Sequence, residues 1–434
     1  MKNTLSKYGW IIALIIIVAV QIAVSQASSR AIKDAFIESV DRIVEEMNDT
    51  STDADIPADT TESDEGKTGG DPGTEGKIQL PADATATDLR SAVSSASDSA
   101  TIVLGANETI NMGAGNMHFL GKAMKNADGT GKALAIDLNG GSLVSTEAHS
   151  NGWYYGLEIP DGADIVIANG TIELDMWDAQ NYPNQNEATS AITVGTGASL
   201  TLKNVHIKSN SAAIFPSGTA SQLIVENCTI EGNAYAIATN RMESSIIKIS
   251  VKDSKIKAAS CAFLINCASN TTISNCEVEA GGWALFLRAG TANISNTNFK
   301  TTDGDVGYNS AYSCSYKNFK YTQNRDGAPY WGTGFQCPYS VVTLGDYSNG
   351  DSYSGDVVCS MTGVTITSPN SADIPTVLCA AQREDKVVKL TYSGTSNIGE
   401  VVVFGQNYDY TTNNHSAIVH SGSILVNGAA VALN

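Results

Sequence analysis

The chain has 434 residues and a formal net charge of −19, from 26 basic and 45 acidic residues. This acidic excess repels phosphate groups, so nucleic acid is excluded as a partner. The sequence also predicts no metal and no other cofactor, because no two histidines fall at the spacing of metal ligands; they are His118, His149, His206, His415 and His420.

The N-terminus predicts a membrane anchor. Lys2 and Lys7 precede an apolar run from Trp10 to Val24, and residues 9–26 together are long enough to cross a bilayer as a helix. The flanking lysines place residues 1–8 in the cytoplasm and the bulk of the chain outside the cell. Signal cleavage near Ala27 is the alternative, and it would give a secreted protein.

Two connecting segments follow the predicted anchor. Residues 27–47 have an apolar stripe at helical spacing and predict an amphipathic stalk, whereas residues 48–77 are acidic, rich in Thr and Gly, and predict a disordered linker. The anchor and stalk also resemble a pilin, so a filament subunit is a second alternative. However, the processing site and the early acidic residue of type IV pilins are absent.

The rest of the chain repeats itself with a period of about 22 residues. One marker is a turn residue, found at Asn169, Asn204, Asn227, Asp253, Asn275 and Asn296. The second marker is an alanine, found at Ala191, Ala213, Ala236, Ala262 and Ala284. Each repeat holds short runs of alternating apolar and polar residues, which favour three parallel β-strands per coil. Asn tolerates the left-handed backbone of a tight turn, and stacked Asn side chains can bond to one another.

These features resemble a known superfamily. Asn-x-x-Ile/Val turns one coil apart, the IDLNGG segment from Ile136, and a preceding helix near 86–97 are similar to the pectate-lyase-like right-handed parallel β-helix. The resemblance implies an all-β solenoid over residues 78–434 with a short N-terminal capping helix. It leaves the activity open, because the superfamily includes lyases, hydrolases, tailspikes and non-catalytic adhesins. Insertions are expected near 175–188 and 301–355.

The eight cysteines lie between Cys228 and Cys379 and form no CxxC pair. Cys228 and Cys276 occupy the same repeat position two coils apart. That separation is too large for a disulfide, so we interpret them as small buried residues.

The strand around each alanine marker is the expected location of a catalytic site. Apolar residues alternate there with the alanines, which predicts that the alanine column faces outward. Glycoside hydrolysis needs two nearby carboxylates, but only Glu158 is acidic on this surface. Arg288 is five coils away, about 24 Å at roughly 4.8 Å per coil. We therefore favour a non-catalytic protein, with a polysaccharide lyase or glycoside hydrolase as the alternative.

Two candidate sites remain on this predicted surface. Aromatic and polar side chains around the first insertion are a candidate ligand-binding cluster for a glycan: Trp153, Tyr154, Tyr155, Glu158, Asp175, Trp177, Asp178 and Tyr182. A candidate docking strip for another surface protein or a subunit consists of Phe215, Leu264, Phe286 and Arg288. The sequence thus predicts a membrane-anchored extracellular protein that acts in adhesion, surface structure or glycan binding. Its oligomeric state is open.

Overall fold

A computed structural model describes a large part of the chain after residue 75. The described residues are 76–145, 155–175, 190–233, 235–239, 246–259, 261–302, 312–316, 319–322, 340–346, 355–368, 375–381, 385–403, 409–412 and 422–431. The predicted membrane helix, the stalk and nearly all of the linker lie outside these residues. Within them, no helix combines the length and the apolar character that crossing a membrane requires.

Most of the described strands belong to three parallel faces that recur along the stack of coils. Face 1 is built from β1 (Lys77–Gln79), β2 (Ala100–Val103), β4 (Ala133–Asp137), the first half of β7 (Asp164–Leu174), the first half of β9 (Ser199–Ser209), β11 (Gln222–Glu226), β14 (Ile247–Lys252), β17 (Ser269–Ser274), β20 (Gly290–Ser295), β25 (Val357–Thr362), β28 (Val387–Tyr392) and β31 (Ser423–Val426).

Face 2 follows face 1 after a tight turn in each coil. It comprises β3 (Thr109–Asn111), β5 (Ser142–Ser145), the second halves of β7 and β9, β12 (Thr229–Gly232), β15 (Lys255–Ala258), β18 (Glu277–Ala280), β21 (Asn298–Thr301) and β26 (Thr365–Thr367). Face 3 closes the coil with β6 (Tyr155–Ile159), β8 (Ser190–Val194), β10 (Ala212–Pro216), β13 (Tyr235–Thr239), β16 (Cys261–Ile265), β19 (Leu285–Leu287), β24 (Val342–Asp346), β27 (Val377–Ala381) and β29 (Val401–Val403).

Among the described strands, five pair in the antiparallel sense. β22 (Tyr312–Tyr316) pairs with β23 (Phe319–Thr322) and with β30 (Asp409–Thr412) in a small separate sheet. β32 (Ala429–Val431) turns back on β31 through Asn427 and Gly428, whose φ angles of 48° and 80° suit a two-residue hairpin turn.

The coils stack in register, which confirms the predicted all-β parallel β-helix. On face 1, Leu200, Leu223 and Ile249 pair in successive coils and are all buried. Parallel neighbours lie about 4.8 Å apart, so each inward side chain covers the one below it. The interior is consequently one continuous apolar column, and each fully buried Leu, Ile or Phe contributes about 1.5–3 kcal/mol to stability.

The predicted asparagine turn is confirmed in both its conformation and its bonding. The six marker residues have φ angles from 47° to 59°, in the left-handed region. Their side chains form an asparagine ladder, in which Asn204 Nδ2 donates to Asn169 Oδ1 at 2.9 Å and Asn227 Nδ2 donates to Asn204 Oδ1 at 2.6 Å. Asn275 donates in the same way to Asp253 at 2.9 Å.

The residue after the marker forms a second column at Cys228, Ser254, Cys276 and Thr297, and the hydrogen bonds of this column were not predicted. Cys228 Sγ accepts the Val205 N–H at 3.4 Å, and the Cys228 N–H donates to Ser254 Oγ at 3.0 Å. The Cys276 N–H donates to Thr297 Oγ1 at 3.3 Å. The cysteines are therefore buried and unbridged, as predicted, but they also act as hydrogen-bonding groups equivalent to Ser and Thr.

Two helices cover the N-terminal end of the coils. The predicted capping helix is α1 (Ala86–Ser95), which begins with a capping box between Thr85 and Asp88. A second helix, α2 (Gly113–Ala123), was not predicted. It lies against β6, and a side chain at Gly121 would stand 2.2 Å from the Glu158 carbonyl oxygen. Only glycine at this position permits α2 to approach β6 so closely. The helix thereby covers β6, the first strand of face 3.

The outward orientation predicted for the alanine column is wrong. Ala191, Ala213 and Ala236 are buried and belong to the main apolar core. The strand registers pair residues on both sides of the alanine position but skip the position itself. A local break in strand alternation at the face 2–face 3 corner thus turns this small side chain inward, whereas the simple two-residue period would point it out.

Candidate functional site

The structure describes part of the predicted ligand-binding cluster. Trp153, Tyr154, Trp177, Asp178 and Tyr182 lie outside the described residues, and Tyr155 is placed only as part of strand β6. Glu158 is exposed and lies 3.8 Å from His118 Nδ1 on α2. Asp175 is exposed at the end of β7 and accepts a hydrogen bond from Asn210 Nδ2. The two described carboxylates thus have different neighbours.

The candidate docking strip lies in the predicted register, but most of it is buried. Leu264 pairs with Phe286 in the next coil. Leu264 is 3% exposed, and Phe286 and Arg288 are fully buried, while Phe215 is half-buried. Trp283 stacks on Phe286 with ring centroids 5.7 Å apart, and Arg288 Nη1 donates to Asn266 Oδ1 at 3.4 Å. Three of these four side chains therefore offer no open surface.

The outer surface of face 2 carries a feature that the sequence interpretation missed. One outward position holds acidic and basic residues that alternate from coil to coil; this charge column is Glu173, Lys208, Glu231, Lys257, Glu279 and Lys300. Each residue stands four positions after an asparagine marker, so the pattern is visible in the sequence. The expected catalytic surface was the strand around the alanine, on a different face from this column.

Ion pairs connect neighbouring coils along the charge column. Lys208 Nζ lies 4.0 Å from Glu173, and Lys257 and Lys300 lie 3.6 and 2.5 Å from Glu279. The hydrogen bond from Lys300 and the charges of Lys300 and Lys257 hold the pKa of Glu279 below its ordinary value. Glu279 is therefore an ionised acceptor at neutral pH.

A groove at the corner between faces 2 and 3 is lined by the first five residues of the charge column, from Glu173 to Glu279. This corner groove has a volume of about 720 Å³, within the range of small-molecule sites. Its floor is shaped by small residues such as Gly232, Ala258 and Gly281, and its polar lining includes Asp175, Lys208, Asn210, Glu231 and Asn233. Asp175 and Thr302, which follow the strands next to the two predicted insertions, both line this groove.

The corner groove supplies many groups that bind hydroxyls. Carboxylates accept hydrogen bonds from hydroxyl groups, ammonium groups donate to them, and amides do both. Successive coils repeat these groups about every 4.8 Å, so an extended ligand would meet similar groups along its length. Across the described residues, His, Cys, Asp and Glu form no group of three suited to a metal ion.

Comparison with known proteins supports the architecture. A family model described as the right-handed β-helix region matches residues 132–300, from just before β4 into β21. No curated protein matches the chain. The matched region and the three parallel faces together identify a right-handed parallel β-helix protein with a coil repeat.

Proposed function

We propose that this β-helix is a non-catalytic glycan-binding domain of an extracellular, membrane-anchored protein. The corner groove carries the proposal, because it is open, spans several coils and presents carboxylate, ammonium and amide groups together. Glycan binding requires such a set, since sugar hydroxyls both donate and accept hydrogen bonds. Adhesion or a role in surface structure would follow from binding glycans of another cell or of the protein's own cell surface.

The charges along the groove favour binding over hydrolysis. A glycosidase needs one carboxylic acid that stays protonated near neutral pH, which requires a raised pKa. Lys300 instead lowers the pKa of Glu279. A polysaccharide lyase or hydrolase therefore remains the alternative to be tested, not the favoured function.

The membrane location is supported by the sequence alone. The apolar run from Trp10 to Val24 follows two lysines, and the acidic segment after residue 47 suits an extended spacer. A mass measurement of the mature N-terminus would test this part of the proposal. An intact N-terminus in the membrane fraction supports an anchor, and a chain beginning near Ala27 would support secretion.

A glycan array probed with the full chain tests the function. We expect binding to one class of glycan, weakened about fivefold by Glu231→Ala or Asn233→Ala, since each removes a hydrogen-bonding group worth about 1 kcal/mol. Glu226→Ala is the matched control, because Glu226 pairs with Lys203 at 3.7 Å on face 1, away from the groove. Equal effects of all three variants, or glycan cleavage detected as new reducing ends, would contradict the proposal.

A further inference from the structure

The charge column has a symmetry that glycan binding does not require. Its six residues alternate strictly in sign, from Glu173 at one end to Lys300 at the other. Uncharged residues flank it, because Val144 pairs with Glu173 and Thr367 pairs with Lys300. The column therefore begins with an acid, ends with a base and carries no net charge, on a chain whose net charge is −19.

Most side chains of this column remain accessible despite their ion pairs, although Glu279 is only 26% exposed. Lys257 and Lys300 are 62% and 57% exposed, and Glu173 and Lys208 are 49% and 44% exposed. Ion pairs this exposed are weak and exchange readily with other partners. A second charged surface could therefore form ion pairs with these side chains. No buried charge would lose its partner in the exchange.

We infer that face 2 is a self-association surface and that its partner is a second copy of this chain, packed with its helix axis antiparallel. A two-fold axis along the strand direction lays the charge column over its own reversed copy. Glu173 then faces Lys300 of the second copy, Lys208 faces Glu279, and Glu231 faces Lys257. Two-fold symmetry forms each of these pairs twice, so all twelve charges oppose an unlike charge.

The neighbouring outward column on face 2 is compatible with this arrangement. It consists of Thr171, His206, Thr229, Lys255, Glu277 and Asn298. Reversal places His206 opposite Glu277 and Lys255 opposite Thr229, with no pair of like charges. By contrast, a two-fold axis parallel to the helix axis would set each column residue against its own copy, Glu against Glu and Lys against Lys. Charge repulsion thus selects the antiparallel orientation.

The association should be weak and sensitive to salt, because it rests on exposed ion pairs. It does not rest on the proposed glycan binding, but the two share a surface. Five of the six column residues, all except Lys300, also line the corner groove, so a bound glycan should compete with the second copy.

Sedimentation of charge-altered variants tests the complementarity. One variant replaces Lys208, Lys257 and Lys300 with Glu, and a second replaces Glu173, Glu231 and Glu279 with Lys. We expect wild-type full-length chain in mild detergent to associate at low salt and to dissociate by 0.5 M salt, which reduces the Debye length to roughly 4 Å. Each variant alone should stay monomeric, while an equimolar mixture should form heterodimers. Wild type that is monomeric at low salt, or a mixture that does not associate, would refute the inference.

Zero-length cross-linking of amines to carboxylates tests the orientation. Within one copy, Glu173 and Lys300 are five coils apart, about 24 Å, so a direct link between them can form only between two copies. We expect this Glu173–Lys300 link at low salt and its loss at high salt. If links form only between adjacent coils, such as Glu279–Lys300, the antiparallel arrangement is wrong. A circular dichroism melt of each variant shows whether it is folded.

Discussion

The asparagine marker combines a conformational role with a bonding role at each coil. Asn accepts the left-handed turn that costs most other residues about 1–2 kcal/mol, and its amide both donates and accepts along the ladder. Asp253 is the exception, since a carboxylate can accept from Asn275 but cannot donate back to Asn227. The ladder is therefore split into two segments.

We predict that Asp253→Asn joins the two ladder segments. One additional hydrogen bond should raise the free energy of unfolding by about 0.5–1.5 kcal/mol, measured by denaturant titration. Asp164→Asn is the control, since it removes an exposed carboxylate at the start of β7, away from the ladder. Equal stabilisation by both variants would show that relief of net charge, and not the ladder, is responsible.

The Cys228 thiol should be unreactive in the folded protein. Burial raises its pKa from 9.0 to about 11, so almost no thiolate is present at pH 8. We expect alkylation by iodoacetamide only after unfolding, detected by mass spectrometry at the Cys228 peptide. Rapid labelling of the native protein would contradict the buried position of this column.

The same pKa shift predicts a dependence of stability on alkaline pH. Because the pKa is raised in the folded state, the folded form gains stability below about pH 9 and loses it as pH rises toward 11. Cys228→Ser keeps a hydrogen-bonding group but does not titrate in this range. Its stability should therefore fall less steeply between pH 9 and 11 than that of the wild type, which a series of denaturant titrations would measure.

At the scale of the elements, the N-terminal cap depends on one buried lysine. Lys132 is 3% exposed, and its Nζ donates to the carbonyl oxygens of Val93, Ser94 and Ala96 at 2.8, 2.6 and 2.9 Å. These carbonyls lie at the C-terminal end of α1, where a positive charge is favourable. The lysine thus fastens the capping helix to the start of β4.

We predict that Lys132→Met loosens this cap. Methionine fills the same space but leaves three carbonyl groups without their charged donor, which should cost about 1.5–3 kcal/mol. Lys125→Met, at an exposed position just after α2, is the control and should change little. The free energy of unfolding and exchange of the α1 amides measure the effect. Unchanged amide protection in Lys132→Met would show that α1 is held by apolar packing alone.

The elements also show which parts of the fold were predictable. The Asn and Ala markers define the coil register, because a turn that requires a left-handed residue restricts the amino acid in every coil. The inward alanines were not predictable, since the break in strand pairing at the corner leaves no separate pattern in the sequence. The second cap helix was missed because α2 contains three glycines within Gly113–Ala123, which weaken its helical signal.

The candidate site was predictable in part for a similar reason. The charge column follows the asparagine markers at a fixed interval of four residues, so the sequence contained the signal. By contrast, periodicity does not encode the burial of Leu264, Phe286 and Arg288, since Phe215 in the same outward register is only half-buried. Local repeats therefore predict which residues stack in one column, but they do not predict how exposed those residues are.

At the scale of the whole molecule, stacking turns a short sequence motif into an extended surface. Backbone hydrogen bonds between parallel strands set the rise per coil, so any outward position is repeated about every 4.8 Å. A glycan strand or a second β-helix can bind such a repeated surface through similar contacts in each coil. The proposed binding and self-association both depend on this regular stacking.

Cross-linking by engineered disulfides tests the stacking most directly. Ile224 pairs with Ser250 in the next coil, and Ser250 pairs with Thr272 one coil further on. Ile224→Cys with Ser250→Cys should form a disulfide under mild oxidation, because paired Cα atoms about 4.8 Å apart suit the bond. Ile224→Cys with Thr272→Cys, two coils or about 10 Å apart, should stay reduced. Bonding of the distant pair, or failure of the adjacent pair in folded protein, would contradict the parallel stack of coils.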